Sequence, residues 1–263
     1  MLEQFKNDLL FGYEKFTDPK PKIIFRQINK ENGYEEDLEK DGGDIVINYM
    51  QFSDGFCVFA VIPELMDFVN DFSVSFSDNL FSLNAFEHLF GYLETYIQKY
   101  PRWLYKDDDA LEKHMIYYGL DDKQKLDLSK IQNSTVQITA DAPYKNITGE
   151  YNQLSPNGVY FGTVIGNKIV SITGTNGMES EVVDIGVETQ KDYRQKGYAV
   201  SNIVAVSNIV ALSNYLLNEG RVVKYGCNNL NMSSIRAAIS CGFHVVCKEK
   251  TIWCPSNKLL NPE

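Results

Sequence analysis

The chain of 263 residues lacks the features that mark several large classes of protein. Its longest strongly apolar stretch, residues 56–63, is far short of the roughly 20 residues that span a bilayer, so no membrane segment is expected. The first 16 residues carry Glu3, Lys6, Asp8 and Glu14 among the apolar ones, which breaks the uninterrupted core of a signal peptide. A cytoplasmic location is the expectation. There are 5 cysteines, Cys57, Cys227, Cys241, Cys247 and Cys254, an odd number without a CxxC pair, which fits buried reduced thiols better than a disulfide frame or a zinc site. The 3 histidines, His88, His114 and His244, are scattered and form no HExxH or other ligand spacing, so no metal is expected. Basic residues are also scarce, 25 Lys and Arg against 35 Asp and Glu, with no basic run. Gripping nucleic acid by its phosphates needs clustered Lys and Arg, and nucleic acid is set aside as a partner.

Several catalytic and phosphate-binding signatures are missing too. No GxxxxGK[ST] occurs, and no GxGxxG follows a strand, which argues against a P-loop nucleotide hydrolase and a dinucleotide-binding unit. No GxSxG or paired Cys and His motif offers a covalent nucleophile.

What is present is a chain able to fold around a core, with 44% hydrophobic and 13% aromatic residues. Its length suits one large domain or two small ones. The acidity is uneven: residues 1–120 hold 22 acidic and 11 basic side chains, a net of −11, whereas residues 121–263 hold 13 and 14, a net of +1. Residues 44–50 and 56–62 are β-prone runs joined by an Asp54-Gly55 turn, which predicts a hairpin. Asn84 and Glu87 form a capping pair ahead of Phe86, Leu89, Phe90, Leu93, Tyr96 and Ile97, a helical stripe that Pro101 stops. The acidic stretch 31–44 reads either as a solvated loop or as a lure for a cationic substrate. Residues 121–156 are polar and read as a connection, which suggests an acidic α+β domain over 1–125 and a second domain over 126–263.

The second half has a clearer order. Residues 158–164 and 168–174 predict two strands about a Gly166-Asn167 turn, and 181–189 a third. A polar segment at 190–196 leads into a long helix over 198–218 closed by Gly220. A strand at 221–227, a helix within 231–241 ended by Gly242, and a strand over 243–253 complete a β-β-β-α-β-α-β order. The long helix contains VSNIVA twice in succession, at 200–205 and 206–211. Six residues turn a helix by about 600°, so the two copies face different ways and predict a helix buried on several sides.

The strand at 181–189 runs into a loop of pattern Arg194-x-x-Gly197-x-Ala199 that opens the long helix. A helix start presents unpaired backbone N–H groups and about half a positive charge, and with Gly197 allowing close approach it suits a pyrophosphate. Lys191, Arg194 and Lys196 add positive charge. A lone pattern of this kind also fits an ordinary strand-to-helix turn.

Together with Asn231-x-x-Ser234 and the Gly242-Phe243 pair, this order resembles the GNAT superfamily of acyl-CoA-dependent N-acetyltransferases over about residues 156–253. The resemblance implies an α+β fold with a mixed, largely antiparallel sheet and helices on both faces, preceded by a separate α+β domain. It implies acetyl-CoA as co-substrate, with Val187, Thr189, Arg194, Gln195, Lys196, Gly197, Tyr198, Ala199, Asn231 and Ser234 as the residues that would hold it. The activity implied is direct transfer of acetyl to a primary amine of a small acceptor, which the acidity of the first half would favour as a cation. A homodimer is an assembly it allows. The first half could be a degenerate copy of the same fold or a substrate-binding domain.

A lysine-like amine has a pKa about 10.4, so holding it neutral at pH 7 costs about 4.6 kcal/mol unless a base helps. Strand alternation puts Asp184 and Glu188 on one face and Glu181 on the other, and Glu188 and Asp184 are the candidate bases. Many family members carry a Tyr four residues before the Gly-Phe pair as a general acid. Here that position is Ala238, which leaves the general acid unassigned, and Tyr198, Tyr193, water or no acid at all are the alternatives. The same departure admits a non-catalytic acyl-CoA-binding or regulatory protein.

Overall fold

The computed structural model describes residues 1–9, 23–27, 43–77, 79–99, 112–139, 154–194 and 198–255. The chain forms two units, each drawn from separated stretches of sequence: one holds Met1–Tyr13 and Ile116–Val246, the other Glu14–Met115 and Cys247–Glu263. This differs from one cut near residue 125, and local chemistry explains why. Residues 121–139 are polar because they cap short turns. The Asp122 carboxylate accepts from the Gln124 N–H at 2.8 Å at the 3-10 turn Lys123–Lys125, and Asp127 accepts from the Ser129 N–H at 3.2 Å at the turn Leu128–Lys130. The strand β5, Thr135–Ile138, follows at once.

In the first unit the sheet is built from β4 (Glu112–Leu120), β5, β6 (Tyr160–Ile165), β7 (Lys168–Thr175), β8 (Val182–Thr189), β9 (Val222–Asn228) and the first residues of β10 (His244–Pro255), in the order β10-β4-β9-β8-β7-β6-β5. The β5-β6, β6-β7 and β7-β8 pairs are antiparallel, and β8-β9 is parallel. Because side chains alternate along a strand, neighbouring residues serve opposite faces. Val183, Ile185, Val223 and Tyr225 meet the helices α5 (Tyr198–Asn218) and α6 (Met232–Ser240), whereas Val182, Val222 and Val246 meet Phe5 of α1 (Leu2–Leu9), which has no exposed surface. Helices therefore cover both faces, and the one on the second face comes from the start of the chain.

Helix α5 is buried at every position from 204 to 213, as the doubled VSNIVA run predicts. Ile209, Val210, Leu212 and Leu216 are fully buried, each contributing roughly 1.5–3 kcal/mol of transfer free energy. Its buried polar residues fasten the strands. The Asn208 side-chain carbonyl accepts from Thr163 Oγ1 at 2.9 Å and Thr135 Oγ1 at 3.2 Å, and Ser207 Oγ accepts from the Gln132 N–H at 2.8 Å. After α6 the chain turns at Gly242, whose φ of 88° lies in the left-handed region.

In the second unit β1 (Ile23–Gln27), β3 (Cys57–Val61), β2 (Gly43–Phe52) and β10 are neighbours in that order. The β2-β3 hairpin turns at Asp54-Gly55 as predicted, with the Gly55 N–H bonded to the Phe52 carbonyl at 2.9 Å. Helices α2 (Met66–Ser75) and α3 (Leu83–Lys99) supply Val69, Phe72, Leu89 and Leu93 to an aromatic core around Tyr49 and Phe59, whose rings stack at 5.3 Å. Helix α3 is capped by Ser82, whose Oγ accepts from the Ala85 N–H at 3.2 Å, and not by Asn84. The side chains of Tyr96 and Ile97 and the acidic residues 31–42 lie outside the described set. β1 runs parallel to β3, the second strand of its hairpin, whereas in the first unit β5 runs antiparallel to β6, the first strand of its own.

Candidate functional site

The sheet of the first unit opens between two parallel strands. β8 and β9 pair only at Val182-Val222, Val183-Val223 and Asp184-Lys224, and beyond that rung no further pairing joins them among the described residues, although β8 runs on to Thr189 and β9 to Asn228. β8 stays paired with β7 from Ile185 to Thr189. In an antiparallel pair alternate residues turn their N–H and C=O groups outward, so this stretch of β8 presents backbone donors and acceptors to the gap.

A cleft of about 330 Å³ lies at this opening, lined by Val187, Thr189, Arg194, Tyr225, Asn231 and Ser234, with Ala205, Ser233 and Ala237 completing its wall. Asn231 caps α6, its side-chain oxygen accepting from the Ser234 N–H at 3.1 Å, and Ser233 and Ser234 of that first turn line the cleft. Arg194 is anchored at its root, where Nε donates to the Thr189 carbonyl at 2.5 Å, while its guanidinium is about half exposed and 3.8 Å from Glu188. Thr189 Oγ1 lies 3.0 Å from Ser171 Oγ. Burial pushes the Tyr225 phenol up to about 12, a hydrogen bond with Ser234 working the other way. Gln195, Lys196 and Gly197 lie outside the described residues, as do the side chains of Tyr198 and Ala199, whose backbone forms the first turn of α5.

The carboxylates proposed from strand alternation sit on the side of β8 away from Val187 and Thr189, but in different surroundings. Glu188 is partly exposed beside Arg194 at the open end. Asp184 stands at the last paired rung next to Lys224, whose ammonium is 2.7 Å from Asp8 of α1. Burial holds the Asp184 carboxyl above its ordinary value, against the Lys224 charge and a hydrogen bond from the Asn176 side chain, with Asp8 pushing it higher. Ser180 Oγ donates to Asp8 at 3.1 Å. Glu181 is exposed and accepts from Gln4 of α1 at 3.3 Å.

Val187, Thr189, Arg194, Asn231 and Ser234, all expected from the sequence, thus line one cleft. Tyr225 was not anticipated, although Val223, Tyr225 and Cys227 alternate on the helix-facing side of β9 and mark it as inward-pointing. Asp8 could not have been found from the sequence, since 176 residues separate it from Asp184. Ala238, on the inner face of α6, is buried in the core. The described cysteines Cys57, Cys227, Cys241 and Cys247 are buried and free, burial raising the first three to about 11, 11 and 12. Among the described residues no group of His, Cys, Asp and Glu is arranged to hold a metal, and no helix is long and apolar enough to cross a membrane.

No family model and no curated protein matches the sequence. Among solved structures the chain is similar to a protein described as an acetyltransferase of the GNAT family from Novosphingobium aromaticivorans, at 18% identity over 56% of this chain and 66% of that one, with a TM-score of 0.41. It is also similar to a GCN5-related N-acetyltransferase from Sphaerobacter thermophilus, at 9% identity over 77% and 74% of the two chains, TM-score 0.41. A third is a GNAT-family acetyltransferase from Colwellia psychrerythraea, at 12% identity over 80% and 82%, TM-score 0.37. The chain spans just under two thirds of the length of the first of these. Similarities of this size carry no inference about activity or substrate.

Proposed function

We propose that the chain is a GNAT-type N-acetyltransferase that receives acetyl-CoA in the cleft between β8 and β9 and passes its acetyl group to the primary amine of a small acceptor. The observation that carries this reading is the parting of β8 from β9 beyond Asp184 and Lys224, beside a cleft lined by Arg194 and by the first turn of α6. An extended amide-bearing arm needs a strand edge with unused hydrogen-bonding groups, and a diphosphate needs helix starts and cations. Ile185–Thr189 of β8 supports the first need, and Arg194 with the first turn of α6 supports the second.

Acetyl-CoA supplies an activated acyl group as a thioester. Backbone N–H groups of β8 near Val187 and Glu188 would receive the carbonyl oxygen as negative charge develops on it, a contribution of roughly 3–4 kcal/mol for one well-placed donor. Glu188, on the other side of the strand and partly exposed, would take a proton from the acceptor's ammonium group; the neutral amine would then attack the thioester carbonyl, the C–S bond breaking as the new C–N bond forms and the second nitrogen proton passing to solvent. The gap lets donor and acceptor approach from opposite faces. The departing thiolate accepts a proton from solvent or from a hydroxyl of the cleft. The acidity of residues 1–120 favours a cationic acceptor.

Thiol release from acetyl-CoA measured with a panel of polyamines, amino-sugars and amino acids tests the reading. Amine-dependent release is the expected result. Tight binding of acetyl-CoA without turnover of any amine would transfer support to a non-catalytic acyl-CoA-binding protein, the reading that Ala238 in place of a Tyr favours.

A further inference from the structure

The second unit holds a cationic cluster of its own. β10 lies between β2 and β4, and Lys250 stands opposite Tyr49 of β2, so Lys250 and Lys248 point to the side of the sheet that carries the aromatic core. Two residues apart on one strand face, they are separated by roughly 7 Å. Lys250 is 6% exposed, with its ammonium 3.5 Å from the centre of the Phe86 ring of α3, and the ammonium of the exposed Lys248 lies 6.0 Å from the centre of the Phe81 ring. His114 of β4 meets Phe81 at 5.1 Å between ring centres. Burial first, then Lys250 and Lys248, push its imidazole down to about 4, so the field of both ammonium groups reaches it.

Two observations mark the cluster as one that lacks a counter-ion. His114 Nε2 is buried and has no hydrogen-bond partner among the described residues, a costly state for a polar nitrogen. Lys248 forms no ion pair with a described residue, and Glu249, the carboxylate between the two lysines in sequence, is turned to the opposite face of the strand, where it accepts from Asn48 Nδ2 at 2.7 Å.

We propose that Lys248, Lys250 and His114 form a site in the second unit for a phosphate group, its oxygens lying between the Lys248 ammonium and His114 Nε2 and its charge facing Lys250. A dianion with several acceptor oxygens suits two lysines and an imidazole better than a single carboxylate does, and lysine holds phosphate as a point charge. The site is independent of the acetyl-CoA cleft, since its residues all belong to the second unit.

The test is titration of the full chain with inorganic phosphate at neutral pH and constant ionic strength, read from the imidazole C–H resonances, with His88 and His244 as comparisons. His114 alone should shift, saturating with a dissociation constant of about 1 mM or below. At saturation its titration midpoint should rise from about 4 by about one pH unit or more, because a nearby anion favours the imidazolium. Lys248→Met, a change at an exposed side chain, should weaken phosphate binding about threefold or more. Glycerol 3-phosphate binding as tightly as inorganic phosphate would identify an organic phosphate as the ligand, and weaker binding would identify the free ion. Absence of a saturable His114 shift up to about 20 mM phosphate, a shift that chloride reproduces, or unchanged affinity in Lys248→Met overturns the proposal.

Discussion

Replacing Gly242 with Ala tests whether the Gly-Phe pair after α6 is there for geometric reasons. The residue has φ of 88°, and a Cβ at this position would stand 2.4 Å from the Lys125 carbonyl oxygen and 3.2 Å from its carbon. Neither side can yield easily. The Gly242 N–H is bonded to the Ile239 carbonyl at 3.1 Å and the Phe243 N–H to the Ala238 carbonyl at 3.1 Å, while Lys125 is held in the turn that Asp122 caps. The left-handed conformation costs an alanine roughly 1–2 kcal/mol, and forcing backbone apart to admit a methyl group costs about 1–3 kcal/mol. Together the loss is about 2–5 kcal/mol, a large share of the 5–15 kcal/mol typical of a folded domain. Urea unfolding followed by circular dichroism reads it directly, as a lower midpoint at unchanged slope. Gly91 in α3 provides the comparison, because its added Cβ would meet nothing within 4 Å. There an alanine should stabilise by about 0.5–1 kcal/mol. A Gly242→Ala protein losing less than about 1 kcal/mol, or shifting in the same direction as Gly91→Ala, would refute the reasoning.

Three further outcomes are expected. Glu188→Gln should lower kcat by about 10²–10⁴ with acetyl-CoA affinity retained, and an unchanged kcat would move the base elsewhere. Lys224→Met should cost about 3–5 kcal/mol near neutral pH, because it leaves Asp8 and Asp184 uncompensated at a site where the ion pair is largely shielded from water. That loss should shrink on acidification, as Asp184, already above its ordinary value, becomes neutral first; a loss independent of pH would count against the pairing. His114 is pushed from 6.5 down to about 4, by burial first and by Lys250 and Lys248 after it. A depressed value means stability fully present above about 6.5 and lost as pH falls toward 4, so urea midpoints should drop across that window in the unaltered protein and drop less in His114→Gln, where His244, also lowered by burial, remains.

The parts that could be read from the sequence are those whose cause is local. Helix α5 ends where Gly220 turns the chain, and Asn231 announces α6 because a cap is a contact between neighbours in sequence. Asn84 misled for the same local reason: Ser82, two residues earlier, offers an equally good acceptor, and only the observed path of the chain selects it. The polar strand β5 read as a connector because its partner β6 lies beyond residues 140–153, and an edge strand with one neighbour needs little apolar signal. Helix α1 is harder still. Nothing in eight residues with a single fully buried side chain says that Phe5 will sit on Val182 and Val222 or that Asp8 will reach Lys224.

This limit bears on the chemistry. The alternation of β8 correctly grouped Asp184 with Glu188 on one face, but it treats every position along a strand alike. What distinguishes the two carboxylates is where β9 leaves β8 and what covers the strand before that point. Asp184 falls on the closed side, at the last rung and shielded by α1, where its charge is matched to Lys224. Glu188 falls on the open side, partly exposed beside Arg194, where the proposed mechanism needs its base. The same sequence pattern therefore yields one carboxylate beside the Lys224–Asp8 pair that ties the first helix to the sheet and another beside Arg194 at the open end, and the division between them is made by the end of a strand pairing.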